Sequence, residues 1–374
     1  MYYAESISLS QAEPLLSQCG LKRPSDADYT AGVFDDIGKL LATGSLAGDM
    51  IQGVAVDPAH QGEDLTGKLM THLISTAAEK GTHALYLFTK PEKAIQFQGL
   101  GFRTVATARP YAALLEWGSP GIEGYRERLT AIRRNAELSY YMEKSGGHQL
   151  MAVPDCRIPA PRAAALVMNC NPFTKGHRWL VEKAATENDL VYLLVVEENK
   201  SLFSFDNRLA MVRRGTKDLP GVIVIPGSRY CVSSLTFPSY FTKEENLAKA
   251  QTAMDAEIFC RHIAPQLGIT RRYIGTEPLS PVTAVYNETL KSRLPKDGIE
   301  VLEIPRLEKD GQPVSASRVR ELLGENPDSL TNPSPQLISS LSELVPQSTL
   351  NYLLEEVSEG EVKPMRSMKE ESNR

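Results

Sequence analysis

Two rhythms of apolar residues run along the sequence. Extended runs around GVFDDIGKLLATGSL and DMIQGVAV (32–56) are joined by Gly-rich turns, and Leu65–Lys80 then spaces its apolar residues as an amphipathic helix does. A strand, ALYLF (84–88), a short helix (91–100) and a strand ending in ALLEW (113–117) complete a unit over 1–118, predicted to be an α+β or α/β fold. Between 119 and 162 the pattern changes to a charged helical stretch, YRERLTAIRRNAELSYYMEK, then SGG, then the proline-rich PDCRIPAPR, which predicts a helical and Pro-rich linker. From Ala163 a different order begins: AAALVMN (163–169), VYLLVV (191–196), VIVIP (222–226), YIG (273–275) and VLEIP (301–305) alternate with helical segments. That alternation predicts a doubly wound parallel sheet over 163–325, with its site at the carboxyl ends of the strands. The remainder, 326–374, is Ser/Pro-rich at first, holds one short amphipathic stretch (349–357), and ends in a charged run predicted to be a mobile tail.

Composition narrows the class. A chain of 374 residues, 42% hydrophobic and 23% charged, has room for two ordinary domains with real cores. The net charge of −5 provides no global positive field for nucleic acid, so a bound nucleotide has to be held locally. The runs Ala163–Met168 and Leu190–Val196 are too short to cross a membrane, and the first residues lack the basic-then-apolar pattern of an export signal. Five cysteines (Cys19, Cys156, Cys170, Cys231, Cys260), an odd number without C-x-x-C spacing, fit a reducing cytoplasm.

Two segments of the second unit carry chemistry. Asn169-Cys170-Asn171-Pro172-Phe173-Thr174-Lys175-Gly176-His177 joins the first strand to a helix, where doubly wound folds bind phosphate. With a helix starting near Thr174, that hydroxyl and the His177 imidazole project from one face. Lys175, His177 and Arg178 crowd a helix N-terminus, where the macrodipole disfavours cations unless an anion is bound. The second segment, Val314-Ser315-Ala316-Ser317-Arg318-Val319-Arg320, repeats the conflict: Ser315 or Ser317 caps a helix whose first turn holds Arg318 and Arg320. Each segment alone reads equally as a capped imidazole or as solvated arginines. Together they favour a polyphosphate between them.

These residues carry a family resemblance. Thr174-x-Gly176-His177 and Ser315-x-Ser317-Arg318 resemble the (H/T)-x-G-H and I-S-S-T/S-x-x-R signatures of the nucleotidylyltransferase superfamily, and the pairing is more specific than either motif. The segments NCNPFTKGHRWLVEKAA, TFPSYFTKEE (236–245) and YIGTEPLSPVTAVYNETL (273–290) are similar to citrate lyase ligases, a likeness that runs from about Leu40 to Leu323. The resemblance implies activation of acetate by ATP to acetyl-adenylate and pyrophosphate. The acetyl group then passes to the thiol of a dephospho-CoA-type prosthetic group on the acyl-carrier subunit of citrate lyase. It implies catalytic roles for His177, Thr174 and Arg318, and nucleotide contacts from Asn171, Pro172, Phe173, Lys175, Gly176, Ser315 and Ser317. Glu277, in the loop after YIG, is a candidate for ribose or adenine. Mg²⁺ is expected to rest mainly on phosphates and water, since no carboxylate cluster has the spacing of an all-protein site. Arg229, Tyr230, Tyr240 and Phe241 are candidates for the wall of a small acyl pocket.

In the first unit, the loop Gln61-Gly62-Glu63-Asp64-Leu65-Thr66-Gly67 and the corner Phe97-Gln98-Gly99-Leu100-Gly101-Phe102-Arg103 resemble GNAT acetyltransferases. Asp64 and Thr66 stand at two positions where that family has small residues, and Asp64 argues against acetyl-CoA. Docking of the carrier or its arm is an alternative use for this unit. Two rival functions follow from the same motifs. One is a cofactor adenylyltransferase of the phosphopantetheine or nicotinamide mononucleotide type; the other is a GNAT acetyltransferase with a nucleotide-sensing domain.

Overall fold

The computed structural model describes residues 2–146, 158–198, 201–232, 237, 244–277, 281–309, 311–324, 330 and 333–355. The chain divides into two compact units, Met1–Tyr125 with Phe237–Ile258, and Arg126–Thr236 with Phe259–Arg374.

The first unit opens with β1 (Tyr3–Ser6) and α1 (Leu9–Gln18), the latter started by a reciprocal cap between Ser8 and Gln11. Then come β2 (Tyr29–Phe34), β3 (Leu40–Ala47), β4 (Met50–Val56), α2 (Leu65–Glu79), β5 (Ala84–Thr89), α3 (Ala94–Gln98), β6 (Arg103–Ala108) and β7 (Ala112–Gly118). They form a seven-stranded sheet in the order β1-β2-β3-β4-β5-β7-β6, in which only β4 and β5 run parallel. The run GVFDDIGKLLATGSL is thus two strands. Asp35 breaks it, its carboxylate accepting from the backbone N–H groups of Ile37 (3.1 Å) and Lys39 (2.8 Å). Helix α2 follows the predicted face: Leu65, Leu69, Leu73 and Ala77 recur every four residues and are fully buried over the sheet. Each such leucine contributes roughly 1.5–3 kcal/mol on removal from water.

Helix α4 (Gly121–Lys144) occupies the predicted charged helical stretch, and the division between units falls within it, after Tyr125. The buried Glu116 carboxylate receives the N–H of Ile122 at 2.9 Å and so anchors its start. Helix α7 (Glu244–Ile258), which the sequence pattern placed in the second domain, belongs to the first unit and packs on β6.

The second unit is built from β8 (Ala163–Met168), α5 (Lys175–Glu187), β9 (Leu190–Val195), α6 (Phe205–Thr216) and β10 (Val222–Pro226). After the excursion to α7 the chain continues through a π-helical turn (Phe259–Ile263), α8 (Ala264–Leu267), β11 (Arg271–Gly275), α9 (Pro281–Arg293) and β12 (Glu300–Ile304). A small ribbon, β13 (Glu308–Lys309) and β14 (Gln312–Pro313), leads into α10 (Ala316–Gly324). The five long strands form a parallel sheet in the order β10-β9-β8-β11-β12. The chain therefore starts at the centre, winds to one edge, and returns to build the other, which places the reversal between β8 and β11. Strand β9 is buried at every position, as its uninterrupted apolar run requires.

Past Gly324 the extension holds two helices, the second over the amphipathic stretch predicted at 349–357 and the first unmarked by the apolar pattern. Helices α11 (Pro335–Leu344) and α12 (Gln347–Glu355) bury Leu341, Leu344, Leu350 and Leu353 in the core of the second unit. The Ser/Pro content here marks a helix start: Ser334 caps α11 by accepting from Leu337 N–H, and Pro335 takes the first turn, where no backbone donor is needed. The predicted mobile tail lies outside the described residues.

Candidate active site in the parallel-sheet unit

The registered pairing of β8 with β11 covers only Ala164 and Ala165 opposite Arg271 and Arg272. Beyond it a crevice of about 490 Å³ opens, lined by the carboxyl halves of both strands, the loop after β8, the start of α5 and the approach to α10. Asn171, Thr174, Gly176, His177, Glu277, Ser315 and Ser317, all singled out from the sequence, line it. Pro172 and Phe173 do not. They lie buried beneath, with the Phe173 ring stacked on His177 at 5.9 Å and 14° between planes.

Thr174 caps α5, and its partner three residues on is a histidine. The Thr174 hydroxyl accepts from His177 N–H at 3.3 Å, while His177 Nδ1 accepts from Thr174 N–H at 3.0 Å. An Nδ1 that accepts leaves the proton of the neutral ring on Nε2. Thr174 Oγ1 is also 3.0 Å from Nδ1, so the hydroxyl as well as the backbone N–H orients the ring. Burial, then the Arg306 guanidinium, then that of Arg320, pull the His177 imidazole down from 6.5 to about 4. The ring at neutral pH is an uncharged donor fixed in direction.

Gly176 explains how two distant motifs come together. A Cβ there would stand 2.6 Å from the carbonyl oxygen of Val314, so the first turn of α5 rests directly on the strand end that leads into α10. Ser315 then caps α10, accepting from Arg318 N–H at 3.3 Å. Arg320 reaches back across the junction: Nη1 donates to Asn171 O at 2.7 Å and Nη2 to Ser317 Oγ at 3.0 Å. Asn171 Oδ1 in turn accepts from Phe203 N–H at 3.2 Å. The loop after β8 is held from the other side by the fully buried Arg208, which donates to Asn169 O (2.7 Å), Asn169 Oδ1 (2.8 Å) and Val196 O (2.9 Å). Nothing in the local sequence marks Arg208, a helix residue, as the clamp of this loop.

The predicted cations divide. Arg320 lines the crevice, whereas Arg318 is exposed and outside the lining. Counting x-x-R from Ser317 also lands on Arg320, two positions past the Arg318 named from the sequence. Lys175 turns away from the crevice and donates to Ser342 O at 2.7 Å, on the last turn of α11. Arg178 needs no bound anion, because Asp218 (2.7 and 2.9 Å) and Glu182 (2.7 Å) neutralise it. Sequence reasoning passed over Arg306, which stands two residues past the end of β12 and lies in the lining with Glu277. Its position just past a strand is the signal that singled out Glu277.

Among the charged residues of the lining are three arginines, Arg272, Arg306 and Arg320, and one carboxylate, Glu277. Arg272 is buried against the Phe259 ring at 4.2 Å and donates to Tyr286 OH at 2.7 Å. Of the residues considered for an acyl wall, Arg229 is exposed and Tyr230 buried, and neither lines the crevice. Tyr240 and Phe241 lie outside the described residues.

The first unit has its own cleft, of about 560 Å³, lined by β4, β5 and the 60–66 loop. Strands β4 and β5 pair only at Met50 with Tyr86 and Ile51 with Leu87. Asp64, in the left-handed region at φ 53°, lies directly before α2, and its carboxylate rests over Gly67 in the first turn. The helix end that a diphosphate would approach thus carries a carboxylate.

Comparison with known proteins agrees with both halves. The family described as citrate lyase ligase C-terminal domain matches residues 163–353, and the acetyltransferase (GNAT) family matches residues 9–102. A citrate (pro-3S)-lyase ligase of Klebsiella pneumoniae is 40% identical over 322 residues, covering 85% of this chain and 84% of the relative. The enzyme of the same name from Escherichia coli K12 is 35% identical over 321 residues, covering 84% and 82%. A phosphopantetheine adenylyltransferase of Moorella thermoacetica is 39% identical over 56 residues, covering 14% of this chain and 35% of the relative. An enzyme with a GNAT-like unit followed by a parallel-sheet ligase unit, this chain belongs to the citrate lyase ligase family.

Proposed function

We propose that the chain uses ATP to activate acetate as acetyl-adenylate, releasing pyrophosphate, and then acetylates the prosthetic-group thiol on the acyl-carrier subunit of citrate lyase. The observation that carries this reading is the crevice at the sheet reversal, where arginines outnumber carboxylates around a neutral, oriented imidazole. Such a site favours a polyanion that needs no proton removed.

Acetate is already a carboxylate at neutral pH, so attack of its oxygen on the α-phosphorus needs no general base. One P–O bond forms, the bond to pyrophosphate breaks, and negative charge grows on the non-bridging and leaving oxygens. His177 Nε2–H serves as a donor to an α-phosphate oxygen, and Thr174 holds the ring in the required tautomer. Arg320, with the amides at the start of α10, takes the outer phosphates. In the second step the carrier thiolate attacks the acetyl carbonyl and AMP departs. Glu277 is paired with Arg306, and among the described residues no group of three or more His, Cys, Asp or Glu converges as a metal cage. Mg²⁺ would enter with the nucleotide as part of the substrate, held mainly by phosphates and water, and would supply charge neutralisation at the leaving group.

Acetate-dependent exchange of labelled pyrophosphate into ATP tests the reading. Exchange is expected only with acetate present. Exchange that instead requires phosphopantetheine or a nicotinamide mononucleotide would replace it with a cofactor adenylyltransferase.

A further inference from the structure

We propose that Arg306 binds the outer phosphates of the nucleotide and that Glu277 is its positioning residue, with no contact of its own to ribose or adenine. The inference rests on the reading of the crevice as an ATP site and assigns two of its residues.

Arg306 stands two residues past the end of β12, at the carboxyl edge of the sheet beside β11. Three contacts fix it to the loop after β11. Its backbone N–H donates to Thr276 Oγ1 at 3.2 Å, its Nε to Thr276 O at 2.7 Å, and its Nη2 to the Glu277 carboxylate. One edge of the guanidinium is thereby held by protein. Among the described residues Nη1 has no hydrogen-bond partner, and the side chain lines the crevice with 28% of its surface exposed. A planar fork fixed along one edge and open along the other suits phosphate oxygens.

Position on the sheet supports the same role. Arg320 enters from α10 and Arg306 from the end of β12, and both lie near enough to His177 to depress its basicity. The imidazole that addresses the α-phosphate thus has a guanidinium from each of two elements, as a chain of phosphates would require. The Glu277 side chain, 8% exposed, has its carboxylate engaged by Arg306, which directs it at the arginine. Its charge also offsets one of three arginines in the crevice before nucleotide arrives.

Isothermal titration of the full chain with ATP, with inorganic tripolyphosphate and with AMP tests the assignment. Arg306→Gln is expected to weaken ATP and tripolyphosphate about tenfold to a hundredfold, the usual worth of a charge-assisted contact, and to leave AMP within about twofold. Arg306→Lys keeps the charge without the fork and is expected to fall between. Glu277→Gln is expected to weaken ATP by about threefold to tenfold and spare AMP, since it loosens the fork but not the adenosine end. Equal loss of AMP and ATP in Glu277→Gln overturns the positioning role in favour of a ribose or adenine contact. Unchanged ATP affinity in both Arg306 variants overturns the phosphate role. A wild-type chain that binds neither ATP nor tripolyphosphate overturns instead the underlying reading of the crevice.

Discussion

Gly176 and Val314, 138 positions apart in sequence, meet so closely that no side chain fits between them: a Cβ on Gly176 would lie 2.6 Å from the Val314 carbonyl oxygen. The Thr-x-Gly-His turn and the Ser-x-Ser turn therefore form one surface. Gly176→Ala is expected to force the two helix starts apart and to cost about 1–3 kcal/mol, as overpacking does. ATP affinity should fall by more than the loss in thermal midpoint explains, which calorimetric binding and a melting curve on the same preparation would check.

His177 is expected to remain neutral at the pH of the reaction. Its folded pKa near 4 lies below the ordinary 6.5, so on acidification the unfolded chain takes up this proton first. The stability that depends on this residue is whole above about pH 6.5 and is lost progressively as pH falls toward 4. Ring ¹⁵N shifts should report an Nε2–H tautomer throughout neutral pH, and an imidazolium signal at pH 6 would remove the mechanism's donor. His177→Ala should abolish pyrophosphate exchange and, because it also removes the ring's bond to Thr174 N–H and its stack on Phe173, lower the urea midpoint by the equivalent of about 1–2 kcal/mol.

Arg318 and Arg320 provide a paired control two residues apart. Arg320→Met is expected to raise the KM for ATP at least about tenfold, and Arg318→Met to leave it within about twofold, because only the former faces the crevice. Equal effects in exchange kinetics would reverse the assignment.

Lys175 belongs to the architecture of α11. Removing its donation to Ser342 O, at a helix end where a cation is favourable, should cost about 1 kcal/mol and lower Tm by roughly 2–4 °C. Lys175→Met should keep the wild-type KM for ATP; a large rise would return this lysine to the phosphates.

In the first unit, acetyl-CoA should give no binding heat with the wild-type chain. Asp64→Gly is expected to gain binding, since it removes the carboxylate from the start of α2 and suits a left-handed backbone. Tight binding to the wild type would show that the carboxylate is no barrier.

Periodicity and turn chemistry made the parallel sheet legible, and the same reasoning placed Thr174, Gly176, His177 and Ser315 in one neighbourhood. Local rules could say that cations crowded two helix starts. They could not say which way each side chain leaves its helix, and so Arg178, Lys175 and Arg318 were counted with Arg320. The first satisfies two carboxylates, the second a helix end and the third faces solvent. Arg208 and Arg306 were missed because what they hold is distant in sequence: a loop some forty residues before the one and thirty before the other. The helix-start signal at Ser334 and Pro335 was present but was overshadowed by the composition around it.

The route of α7 bears on how the protein is made. Synthesis delivers the β1–β7 sheet first, but the helix that covers β6 emerges only with residues 244–258, after three strands of the next sheet. That next unit in turn waits for Leu353, near the end of the described chain, to close its core. The first unit is still incomplete when the second begins, so a cut anywhere between Gly118 and Ala163 yields two fragments, one lacking a packed helix and the other carrying it stripped of its support.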